Sequence, residues 1–114
     1  MSKKVSNKNK WVFFVDVLPN EGNDILKECT GAFANLLVYS VEVEEAIRIV
    51  IRCLGEIDFH VKKMLLIEYF PHRLEYYKVT KEVQKAADEL HRENVFAIGG
   101  AFSAYIAPKS KGKQ

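Results

Sequence analysis

The sequence predicts a single α+β domain in which two helices pack on one face of a four- to five-stranded, mainly antiparallel sheet. Three observations carry this expectation. A chain of 114 residues that is 48% hydrophobic and 28% charged has the composition of one ordinary globular core. Runs rich in aromatic and β-branched residues over 11–18, 32–41 and 95–106 read as strands. Between them, residues 42–54 and 81–93 change to the apolar period of amphipathic helices.

In chain order, Trp11–Leu18 (WVFFVDVL) is the first strand, stopped by the turn residues Pro19-Asn20-Glu21-Gly22. A polar connection with one helical turn, 23–30, leads through Gly31 to the second strand, Ala32–Val41, which should pair antiparallel with the first. Over 42–54, Val43, Ala46, Ile47, Val50, Cys53 and Leu54 form one stripe, widened by Ile49 and Ile51, with Glu44, Glu45, Arg48 and Arg52 facing away. Ser40 is its expected cap, and Gly55 its expected left-handed terminator.

Phe59–Phe70 returns to strand composition, with an alternation that loses phase near Lys63 and Met64, as a bulge would cause. After Pro71, residues 74–79 read as a short edge strand. Thr80 caps a second helix over 81–93 with Val83, Ala86, Ala87 and Leu90 on one face, and Asn94 suits its C-terminal turn. Val95–Ile106 is the last strand, broken or bulged at Gly99-Gly100. The order β-β-α-β-(β)-α-β is that of a small sandwich, ferredoxin-like in the broad sense. Gly31-Ala32-Phe33 recurs as Gly100-Ala101-Phe102, an echo too short to establish a repeat. The succession of Gly31-Ala32-Phe33, Glu42-Val43-Glu44-Glu45-Ala46 and Phe59-His60-Val61 resembles a pattern of small bacterial proteins, and that resemblance implies a fold and no chemistry.

The formal charge of +2 divides unevenly along the chain. Residues 1–10 and 108–114 hold seven of the 17 basic residues and no acidic one, and are expected to be disordered basic tails around a domain at 11–107. That domain holds 10 basic and 15 acidic residues, a net of −5, which repels polyanions and weighs against a nucleic-acid partner except through the tails. Cys29 and Cys53 form no CxxC or zinc spacing and are expected to be reduced thiols. No run is long and apolar enough for a membrane span, and no leader-like segment follows the N-terminal lysines, so a cytoplasmic location is the expectation.

The chemistry-bearing motifs are absent: there is no GxGxxG, P-loop, GxSxG or HExxH. No metal or cofactor is expected, and His60, His72 and His91 share no ligand spacing. Asp16 is the unusual carboxylate, within an otherwise apolar strand, and is expected on the solvent face. The segment YFPHRLEYY concentrates four of the 13 aromatic residues around an arginine; the leading expectation is that Tyr69, Phe70 and one of Tyr76 or Tyr77 complete the core at strand ends, and the alternative is a partner or self-association surface, since this is the composition of interface hot spots. Tyr69, Phe70, His72, Arg73, Tyr76 and Tyr77 are accordingly the candidate partner-binding residues. An edge strand there would also let two copies pair as a dimer.

The expected function is that of a non-catalytic protein-interaction domain, of inhibitor or immunity type, whose acidic body meets a basic partner. The alternative is a small enzyme or ligand-binding domain with a cleft at His72-Arg73, where Arg73 holds an anionic group. Nucleic-acid binding through the basic tails is the third expectation.

Overall fold

In the computed structural model, which describes residues 6–106, the order is β1 (Lys10–Pro19), β2 (Gly31–Tyr39), α1 (Val43–Glu56), β3 (Phe59–Tyr69), α2 (Phe70–Tyr76), α3 (Lys81–Asp88), β4 (Phe96–Ile98) and β5 (Ser103–Tyr105). Residues 1–5 of the N-terminal basic tail and the whole of the C-terminal one, 108–114, lie outside the described residues. All pairings are antiparallel: β3, β1, β2 and β4 lie side by side, and β5 joins β4 on the outer edge of β2. Because β2 and β3 each run antiparallel to β1, they are parallel to one another, and α1 is the crossover that links them over β1.

The two central strands bury residues on both faces, and this decides how the helices are arranged. Successive side chains of a strand point to opposite sides. Phe13, Val15 and Val17 of β1 and Ala32, Ala34, Leu36 and Val38 of β2 face α1, where Ala46, Ile49, Val50 and Leu54 meet them. Val12 and Leu37 face the other way and are covered by Phe70 of α2 and by Val83, Ala86 and Ala87 of α3, with Leu90 beyond it. Full burial of each such valine, leucine, isoleucine or phenylalanine side chain stabilises by about 1.5–3 kcal/mol. The helices therefore sandwich the sheet, and the expectation that both pack on one face is corrected. A single covered face would have left Val12 and Leu37 in water.

Several local features follow the expected chemistry. β3 slips register against β1 between Phe14 and Val15 and again between Asp16 and Val17, so that Leu65 and Lys62 are extra residues on the bulged strand. Thr80 caps α3, its Oγ1 accepting from the Val83 N–H at 3.1 Å. The last strand is broken at Gly99-Gly100: Gly100 takes φ +117°, and a Cβ on Gly99 would press on Leu37 and Val83 at 3.0 Å.

Other features differ from expectation. Residues 70–76 form helix α2 instead of leading into an edge strand, because Pro71 sits in the first turn, where its fixed φ favours a helix, and Phe70 anchors that turn in the core. Ser40 does not cap α1; its Oγ donates to the Glu42 carbonyl at 2.8 Å and accepts from the Glu42 N–H at 3.2 Å, fixing the turn before the helix. Gly55 lies inside α1, and the left-handed residue is Asp58 at φ 66°. Ile51 is exposed, so only Ile49 widens the buried stripe. The first strand begins at Lys10, which is buried rather than part of a tail.

Two substitutions test these local assignments with opposite signs. Thr80→Ala should lower the unfolding free energy by about 1 kcal/mol through loss of the cap. Gly55→Ala, whose added Cβ meets nothing within 4 Å, should raise it by about 0.5–1 kcal/mol. Urea denaturation of both variants beside the wild type reads out the two effects.

Candidate functional site

The end of β3 and α2 fix the residues singled out from the sequence. Glu68, near the end of β3, is the hub: its carboxylate lies 2.7 Å from His72 Nδ1 and accepts from Arg73 Nη1 at 3.0 Å. The Arg73 guanidinium also stands 4.1 Å over the Tyr77 ring, and His72 packs on Tyr76 with ring centroids 5.0 Å apart. Burial alone would raise the Glu68 carboxyl, but the hydrogen bonds and charge of His72 and Arg73 outweigh it and hold the group below the ordinary carboxylate value.

The six candidates thus divide by role. Tyr76 and Tyr77 are 64% and 54% exposed, and His72 is exposed beside them. Phe70 has no exposed surface, so it is a core anchor, as the core reading of this segment expects, and its placement among the partner-binding candidates is corrected. Tyr69 packs on Trp11 with ring centroids 5.0 Å apart, and its hydroxyl accepts from the Asn9 N–H at 3.1 Å. That bonding gives Tyr69 a structural task, tying the N-terminal turn to the sheet.

Beneath Arg73 lies a cleft of about 340 Å³, where Val12, Phe14, Asn35 and Leu66 of the sheet face Arg73, Lys78 and the start of α3. It exists because α3 covers only one end of that sheet face. Past the cleft, Phe14, Phe33 and Tyr105 form an aromatic row with centroid spacings of 5.6 and 5.0 Å. Tyr105 donates to the Asp16 carboxylate, and a Cβ on Gly31 would overlap the Tyr105 hydroxyl, so the glycine makes room for the ring. Asp16 is therefore half-buried and engaged on the α3 side of the sheet, not a solvent-facing carboxylate. Its hydrogen bond, with burial and its negative charge, pushes the Tyr105 phenol up to about 12.

The histidines do not converge. His60 Nδ1 lies 2.6 Å from Asn20 Oδ1, His72 is bound to Glu68, and His91 Nδ1 accepts from the Glu93 N–H at 3.2 Å. None of them lines the Arg73 cleft. No cluster of three or more metal-ligating side chains occurs among the described residues.

Two features escaped the sequence. One is an apolar groove of about 400 Å³ lined by Ile25, Leu26, Ile57, Phe59, Ile98 and Phe102, on the α1 side of the sheet. Its walls come from four separated segments, each of which alone reads as an ordinary stray apolar residue. The other is the pairing of Asp16 with Tyr105, 89 positions apart in the chain.

Two pH dependences follow. The Tyr105 phenol lies above its ordinary value of 10.0, so its pairing stabilises fully below that pH and is lost as pH rises toward about 12. In a phenolate-absorbance titration, one tyrosine should ionise near 12, and Asp16→Ala should return it toward 10. Glu68 is shifted the other way, so its contribution is present above the ordinary carboxylate value and is lost as pH falls through the folded-state value. Glu68→Gln should flatten the acid limb of a stability-versus-pH curve measured by denaturant. Comparison of the chain with family models, curated proteins and solved structures finds no significant match.

Proposed function

We propose that the protein is a non-catalytic protein-interaction domain whose principal contact surface is α2. The observation that carries this reading is the arrangement of Arg73 between Glu68 and Tyr77, with Tyr76 and Tyr77 64% and 54% exposed. Arginine and tyrosine dominate interface hot spots, and side chains already held in place lose less freedom on binding. The partner's chemistry follows from charge: residues 11–107 carry a net of −5, which favours a basic partner and an inhibitor or immunity-type role. Two unpaired cysteines suit a reducing compartment, and we place the domain in the cytoplasm.

Self-association is the weaker form of this proposal. β3 is a sheet edge with Leu65 and Ile67 exposed, but its two bulges and Lys62 and Lys63 oppose a continuous ladder with a second copy. The Arg73 cleft favours a second reading, a ligand-binding domain in which Arg73 and Lys78 hold the anionic end of a small molecule over the apolar floor. Benzoate would serve as its probe, with resonance shifts at Phe14 and Leu66 that disappear in Arg73→Ala.

Affinity capture from the native host tests the main proposal. Wild type is compared with Tyr76→Ala/Tyr77→Ala and with Ile25→Ser/Ile98→Ser in the apolar groove, each first shown to unfold cooperatively. The α2 variant should lose the captured protein, with each truncation costing on the order of 2 kcal/mol, while the groove variant retains it. Capture that survives in the α2 variant and fails in the groove variant would transfer the contact to the opposite face of the sheet and sink the assignment.

A further inference from the structure

A second site, independent of the α2 surface, lies where the start of β1 meets the turn after α3. Lys10, the first residue of β1, is 1% exposed, and its Nζ has no hydrogen-bond partner among the described residues. A buried, unpaired ammonium is among the costliest groups a core can hold. Burial lowers its pKa, while the charges of Asp88 and Tyr39 act in the opposite direction. Asp88 makes no hydrogen bond to the amine; its carboxylate accepts from Gln84 Nε2 at 2.8 Å.

Lys10 also forms part of the wall of a cleft of about 330 Å³, whose other lining residues include Lys8, Tyr39, His91 and Arg92. Lys8 and Arg92 are exposed around it with His91, so two cations flank the cleft and Lys10, whose buried amine has no partner among the described residues, forms part of its wall. Among the described residues no acceptor reaches Lys10 Nζ, although Asn7 Oδ1, in the same N-terminal segment, is likewise buried without a partner. An oxyanion would supply one, and charge-assisted bonds from several cations favour a phosphate over a group of lower charge. The volume is at the small end of small-molecule pockets, and a buried amine can be reached only by a group that enters.

We propose that this cleft binds a small phosphate-bearing molecule, whose oxyanion accepts from Lys10 Nζ while Lys8 and Arg92 flank it with positive charge. The nearby Asp88 carboxylate opposes the ligand's charge, so binding depends on Lys10 rather than on the surface cations alone.

Thermal unfolding of the full chain is followed with inorganic phosphate against sodium chloride at matched ionic strength, for wild type, Lys10→Met and Arg92→Ala. Wild type should show a saturable rise in Tm specific to phosphate, as any ligand of the folded state produces. Lys10→Met should abolish the rise, and Arg92→Ala should weaken the apparent affinity by about tenfold, the effect of losing one charge-assisted bond. Amide shifts at His91 and Arg92 in the wild-type titration locate the site. The absence of a phosphate-specific rise, or an undiminished rise in Lys10→Met, overturns the proposal. Should Lys10→Met fail to fold, Arg92→Ala decides, and unchanged affinity in that variant overturns it. Duplex DNA that displaces phosphate at equal phosphate concentration would assign the charge to a polymer and overturn it as well.

Discussion

The structure depends on a constraint set by two neighbouring strands: β1 and β2 carry buried side chains on both of their faces. Val12 beside Phe13, and Leu37 between Leu36 and Val38, cannot all be sheltered by one layer, because consecutive residues of a strand look in opposite directions. α1 meets one set by crossing over β1 on its way from β2 to β3. α2 and α3 meet the other, but they are short and reach only the end of the face that carries Val12 and Leu37. The rest of that face is closed by Phe14, Phe33 and Tyr105, and the Arg73 cleft opens where helical cover gives way to the aromatic row.

Much of the local structure was legible in the residues because its causes are local. The strand WVFFVDVL, the bulge near Lys63, the Thr80 cap and the break at Gly99-Gly100 each follow from side chains within a few positions of the feature. The two-sided cover was legible in principle, since a near-continuous apolar run such as WVFFVDVL marks a strand buried on both faces. α2 was misread because aromatic residues favour strands on average, whereas Pro71 and the buried Phe70 act at this one place. The exposed half of the candidate surface, Arg73, Tyr76 and Tyr77, could be picked out from composition. Its anchoring could not, because it depends on Glu68 in the preceding strand.

Three polar groups placed against apolar surroundings reach three different outcomes. Glu68 gathers two donors and becomes the fixed point of α2. Asp16 finds a phenol contributed from the far end of the fold. Lys10 finds no acceptor among the described residues. Since native proteins satisfy nearly all buried polar groups, the first two read as architecture and the third as a position awaiting something from outside the chain. Arg73 occupies a middle case, paired with Glu68 and Tyr77 yet still at the rim of a cleft.

The β4–β5 segment also bears on the order in which this sheet is completed during synthesis. β4 and β5 both attach to the outer edge of β2, and Tyr105 emerges from the ribosome after every residue it touches, including Asp16 and Phe33. Until residues 96–105 are made, the nascent chain can assemble β3, β1, β2 and α1 while one full side of β2 stays unpaired. Such an open strand is a template for pairing with another unfinished copy. The β4–β5 segment therefore acts as a seal, and slow or truncated translation there would leave the sheet most exposed to aggregation while the rest of its core is already assembled.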